Sequence, residues 1–131
     1  MKERRPNNRK NHSQVRHAHE IGRYKEGLAM RALHCMLLPS WIRDYSRCSR
    51  EEDMNGKDLR ILTDMGDVFI QIKSSMEGVE KYLKRGPRKF PVAIVIIEEG
   101  ENLENVGQRI LKAAEGLRNE LYQETMHSMA S

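Results

Sequence analysis

Apolar positions change their spacing several times along this chain, and each change predicts an element. From about Gln14 to Leu38, Val15, Ala18, Gly22, Ala29, Leu33 and Met36 recur at helical intervals, and Pro39 closes the pattern. Gly22 and Gly27 weaken that helix. Trp41 to Ser49 is rich in residues that favour strands. An acidic stretch follows and ends in Asn55-Gly56, a strong turn dipeptide. Two short alternating runs, Asp58–Leu62 and Asp67–Lys73, predict a hairpin closed by the four residues Thr63 to Gly66. Met76 to Lys84 reads as a short helix ended by Gly86-Pro87. Phe90 to Glu99 contains a continuous, β-branched apolar run, the pattern of a strand buried on both faces. Finally, Val106, Ile110, Ala113, Ala114, Leu117 and Leu121 form one stripe of a helix from Leu103 to about Tyr122, with a fraying end beyond it.

The predicted order is therefore α-β-β-β-α-β-α, an α/β chain with a mixed sheet flanked by helices. Residues 1–13 read as a basic N-terminal arm, 14–122 as one domain and 123–131 as a tail. The length of 131 residues suits one domain, and aromatics at 5% leave the core to Leu, Ile, Val, Ala and Met. The net charge is +4, but its distribution says more than its sum. Residues 1–16 hold Lys2, Arg4, Arg5, Arg9, Lys10 and Arg16 against the single acid Glu3. Such a segment suits a phosphate backbone, and a solvated terminus explains it as well. Lys81, Lys84, Arg85, Arg88 and Lys89 form a second basic cluster, which suits either a backbone clamp or a solvated helix end.

Cys35 and Cys48 have no metal-ligand spacing, which points to a reducing compartment. The histidines lack a partner constellation, so a zinc site is not indicated. No apolar run approaches a membrane span and no secretory leader is visible, so a cytoplasmic protein is expected.

The hairpin carries the chemistry. Alternation puts Val68, Ile70 and Ile72 on one face and Phe69, Gln71 and Lys73 on the other. If Leu62 pairs with Asp67, Asp58 lies opposite Gln71 at ~5 Å between Cβ atoms, with Lys73 a diagonal neighbour. Carboxylate, amide and ammonium then converge. Asp58, Gln71 and the backbone carbonyl of Ile72 offer hard oxygen donors for Mg²⁺, and Lys73 offers a cation for a phosphate. An exposed cross-strand ion pair and a solvent-facing glutamine account for the same residues without chemistry.

These residues resemble the PD-(D/E)xK nuclease superfamily. Asp53-Met54-Asn55-Gly56-Lys57-Asp58 is similar to its D-x-x-G-x-D element, and Gln71-Ile72-Lys73 to its (D/E/Q)-x-K element. The glutamine variant is similar to Mrr-type restriction enzymes, and the small size to archaeal Holliday junction resolvases. The resemblance covers about residues 20–115. It implies a restriction-endonuclease-like fold and Mg²⁺-dependent DNA hydrolysis, possible at branched DNA, with Mn²⁺ able to substitute and a homodimer to cut two strands. It also implies a glutamate on the first helix near the metal. Glu26 fits that place, with Glu20 as competitor and a helix-edge position as the plain alternative. Ser74 and Ser75 can donate to a DNA phosphate or cap the following helix. A module of the same fold that binds nucleic acid without cutting it is the other implied function.

Overall fold

The computed structural model describes residues 24–49, 57–74 and 91–130. Among the described residues, helix α1 covers 24–35. Strands β1 (Ile42–Arg47), β2 (Leu59–Thr63), β3 (Gly66–Lys73) and β4 (Val92–Ile96) follow, and helix α2 (Leu103–Ala130) ends the series. The four strands form one mixed sheet in the order β1-β2-β3-β4. The first three make an antiparallel meander, and β4 lies parallel to β3. The basic arm, the acidic turn at 51–53 and the helix predicted at 76–84 lie outside the described residues.

Alternation builds the core. Leu59 faces Ile70, and Ile61 faces Val68. Ala93 and Val95 continue that side of the sheet opposite Ile70 and Ile72. Ala29, Ala32 and Leu33 of α1 and Val106, Ile110, Ala114 and Leu117 of α2 pack with these strands in one buried cluster. Each large aliphatic buried this way contributes about 1.5–3 kcal/mol. The helices touch where Gly107 meets Ala32 and Met36. Asn102 starts α2 by accepting the Asn105 amide at 2.8 Å, the bond of an N-cap side chain.

Four expectations need correction. The hairpin loop is two residues, Asp64 and Met65, because Thr63 already pairs with Gly66. The Thr63 hydroxyl donates to the Gly66 carbonyl at 2.8 Å and accepts the Met65 amide at 3.1 Å. The reversal is completed at Gly66 with φ of 124°, a value reserved for glycine. Helix α1 stops at residue 35, although the apolar pattern runs on: Met36 packs against α2 from outside the helix. Strand β4 is not buried on both faces. It is the last strand in the order, and Val92, Ala93, Ile94 and Ile96 are only half-buried. Helix α2 does not fray after Tyr122 but runs on to Ala130.

Candidate functional site

The predicted hairpin register holds from Thr63 back to Leu59, with Leu62 opposite Asp67. It breaks at Asp58. The Asp58 amide donates to the Ile70 carbonyl at 3.0 Å, although Leu59 already faces Ile70. Two residues of one strand thus oppose one of the other, which is a β-bulge. The Asp58 side chain takes over the next rung: its Oδ2 accepts the Ile72 amide at 2.6 Å. Asp58 is therefore not directly opposite Gln71. Its carboxylate is fixed instead on the backbone between Gln71 and Lys73.

The strand geometry extends this placement. The Ile72 amide points toward the β2 side, and N–H and C=O of one strand residue point the same way. The Ile72 carbonyl therefore turns to the side that holds Asp58. Gln71 is only 6% exposed, so its amide is committed to the protein rather than to bulk water. Lys73 is half-buried, and its carbonyl accepts the Ile97 amide at 3.0 Å. Asp58, Gln71, Ile72 and Lys73 are thus brought to one short segment of the β2–β3 pair.

Glu26 arrives from another layer. Helix α1 packs in the cluster that contains Leu59 and Ile70, whereas Gln71 and Lys73 alternate to the opposite face. Glu26 is half-buried on α1. The neighbouring Lys25, 9% exposed, turns fully inward and donates from Nζ to the Ile97 carbonyl at 2.8 Å. This part of α1 is therefore tied to the end of β4, beside the Lys73–Ile97 rung. Ser74 is exposed directly after β3. Arg4, Arg5, Arg9, Lys10, Arg16, Ser75, Lys84 and Arg85 lie outside the described residues.

Sequence reasoning passed over Lys57. Its ammonium stands 4.3 Å from the centre of the Phe69 ring, a cation–π contact that puts a second cation beside Asp58. Its position next to the Asn55-Gly56 dipeptide is the available signal in the sequence.

Among the described residues, no group of three or more His, Cys, Asp or Glu side chains is placed to hold a metal ion. The oxygen donors on that segment are one carboxylate, one side-chain amide and one carbonyl. All are hard oxygens, a set that fits Mg²⁺ rather than zinc and carries little negative charge. Comparison with protein-family models, with curated proteins and with solved structures finds no match. Among the described residues no helix is long and apolar enough to cross a membrane.

Proposed function

We propose that the chain is a metal-dependent DNA endonuclease of the PD-(D/E)xK kind. One observation carries the reading: the Asp58 carboxylate is held on the Ile72 amide, between Gln71 and Lys73, on the second and third strands of a mixed sheet that follows a helix. Asp58, the Gln71 amide oxygen and the Ile72 carbonyl would hold Mg²⁺ or Mn²⁺. Such an ion, when bound, supplies polarisation of the scissile phosphoryl group. Lys73 orients the attacking water and offsets charge that develops on the phosphate. The basic residues of the N-terminal arm and those before β4 hold the DNA backbone. Cys35 and Cys48, neither joined in a disulfide, suit a reducing cytoplasm.

The test is cleavage of labelled four-way junction, nicked and plain duplex DNA. Wild type is expected to cut at least one of them with Mg²⁺ and none with chelator. Asp58→Asn retains an acceptor for the Ile72 amide and so retains the hairpin, but it removes the charge. It and Lys73→Ala are expected to lower the rate by about 100-fold or more. Equal cutting by wild type and both variants refutes the assignment.

Gln71 favours a second reading. Where the resemblance leads one to expect an acid, the chain has a neutral amide, which weakens the hold on a dication. A nuclease-fold module that binds nucleic acid without cutting it fits that substitution. It is selected by an absence of cleavage and of Mg²⁺ uptake, together with DNA binding that weakens steeply with salt.

A further inference from the structure

The outer edge of β4 carries backbone groups that the sheet does not use. The Phe69 amide donates to the Pro91 carbonyl at 2.9 Å, and the Ile97 amide to the Lys73 carbonyl at 3.0 Å. Successive residues of a strand turn their N–H and C=O to opposite sides. Ala93 and Val95 therefore turn toward β3, and Val92, Ile94 and Ile96 turn outward. Among the described residues, the partner on that outward side is Arg109, whose Nη1 donates to the Ile96 carbonyl. The strand itself, Val-Ala-Ile-Val-Ile, contains no charge, proline or bulge, the devices that keep edge strands apart.

We propose that β4 pairs antiparallel with β4 of a second copy of this chain, about a two-fold axis at Ile94. Ile94 is the middle one of the three outward-facing residues. The axis makes Ile94 exchange both of its bonds with its own copy, and Val92 face Ile96. The Ile96 carbonyl has a second lone pair beyond the one Arg109 takes.

Charge selects this occupant and this direction. The sequence ahead of β4 is basic, with Lys84, Arg85, Arg88 and Lys89, and the sequence behind it is acidic, with Glu98, Glu99 and Glu101. An antiparallel copy sets Pro91, which that basic sequence leads into, beside the acidic exit of the other chain. A parallel copy sets like charges together. Glu98 and Glu99 are exposed.

The helix layer also accommodates the pair. Helix α2 packs on β3 and β4 and leaves a groove of about 550 Å³ between β4 and its Arg109–Ala113 flank. With strands about 4.8 Å apart, a helix over the β3–β4 pair lies about 5 Å from the axis, and two such helices run about 10 Å apart, a packing distance for helices. Gly116 continues the same flank, with open space over it.

The axis stands perpendicular to the sheet, so it keeps the Gln71–Lys73 face of both copies on one side. Gln71 lies beside Ile94 in register. The two Gln71 residues therefore sit three strand spacings apart, about 14 Å. The pairing itself does not depend on whether that site cleaves DNA.

Sedimentation velocity and amide exchange on the whole chain test the proposal. Wild type is expected to sediment as a dimer, with the Val92, Ile94 and Ile96 amides slowed in the dimer relative to the diluted monomer. Ile94→Pro removes an outward donor and leaves the β3 ladder untouched, so it is expected to give a folded monomer with an unchanged circular dichroism spectrum. Glu98→Lys with Glu99→Lys is expected to weaken the dimer at least tenfold at low salt. A wild type that stays monomeric at hundreds of micromolar overturns the proposal. So does a dimer in which those three amides exchange freely, a reading that needs no variant to fold.

Discussion

At the scale of single residues, the hairpin tip shows how a surface pair can tie three elements together. Asp64 accepts from Arg118 Nε at 2.6 Å and from Nη2 at 2.7 Å, a bidentate pair. The Asp64 amide donates to the Trp41 carbonyl at 2.9 Å, and the Arg118 guanidinium lies 5.3 Å from the Trp41 ring. The hydrogen bonds from Arg118 hold the Asp64 carboxyl below its ordinary 3.8, with the charges of Arg118 and Arg43 adding to the effect. A depressed carboxylate pKa stabilises the fold at pH values above the unfolded-state value. That contribution is lost as pH falls through the folded-state value. Asp64→Asn is therefore expected to lower the melting temperature by a small, steady amount at neutral pH. The gap should close in acid, below 3.8. Thermal unfolding of both proteins across that range checks it, and a gap indifferent to pH contradicts the role given to the pair. At this same scale, Lys25 and Glu26 show a choice that spacing leaves open. Both fit a helical interval between Gly22 and Ala29, so spacing alone does not choose which points inward. Lys25 does, because its long stem can be buried while its ammonium reaches the Ile97 carbonyl.

At the scale of elements, the helix crossing at Gly107 makes a directional prediction. A Cβ added there would stand 2.9 Å from Met36 Sδ and 3.6 Å from the Ala32 Cβ. Met36 Sδ belongs to a flexible side chain that can shift, while alanine raises helix propensity by up to about 1 kcal/mol over glycine. Gly107→Ala is thus expected to stay within about 1 kcal/mol of wild type in denaturant unfolding. Gly107→Leu meets the Ala32 backbone as well and should cost about 1–3 kcal/mol by overpacking. If the alanine variant loses as much as the leucine variant, the crossing is tighter than argued. The hairpin shows what periodicity reveals and what it hides. Alternation in Val68, Ile70 and Ile72 made the faces of β3 legible, and the predicted pairing of Leu62 with Asp67 is the one found. The bulge at Asp58 left no trace, since Lys57 and Asp58 are both polar and either could begin the strand. The candidate site was therefore legible as a set of residues but not as a geometry: the carboxylate reaches Ile72 through an irregular rung.

At the scale of the whole molecule, helix α2 separates two properties that a sequence pattern merges. Its 28 residues span about 42 Å, whereas the eight residues of β3 span about 26 Å. The helix thus outruns the sheet it packs on. Val106, Ile110, Ala114 and Leu117 are buried, Leu121 is half-buried, and residues 122–129 are exposed. The apolar stripe ends near Tyr122, which is why the sequence places the helix end there. The stripe records where packing stops, and backbone hydrogen bonds carry the helix on to Ala130. A consequence follows for truncation. Removal of residues 123–131 takes away no buried side chain among those described, so the melting temperature should move little, equivalent to less than about 1 kcal/mol. A cut that also removes Leu117 and Leu121 empties part of the core cluster and should cost about 2–5 kcal/mol per large aliphatic lost. Calorimetry of the two truncated chains beside the intact one separates the cases. A large loss from the shorter cut would show that the overhanging turns are held by something, and exposed Tyr122, Met126 and Met129 would be the side chains to examine first.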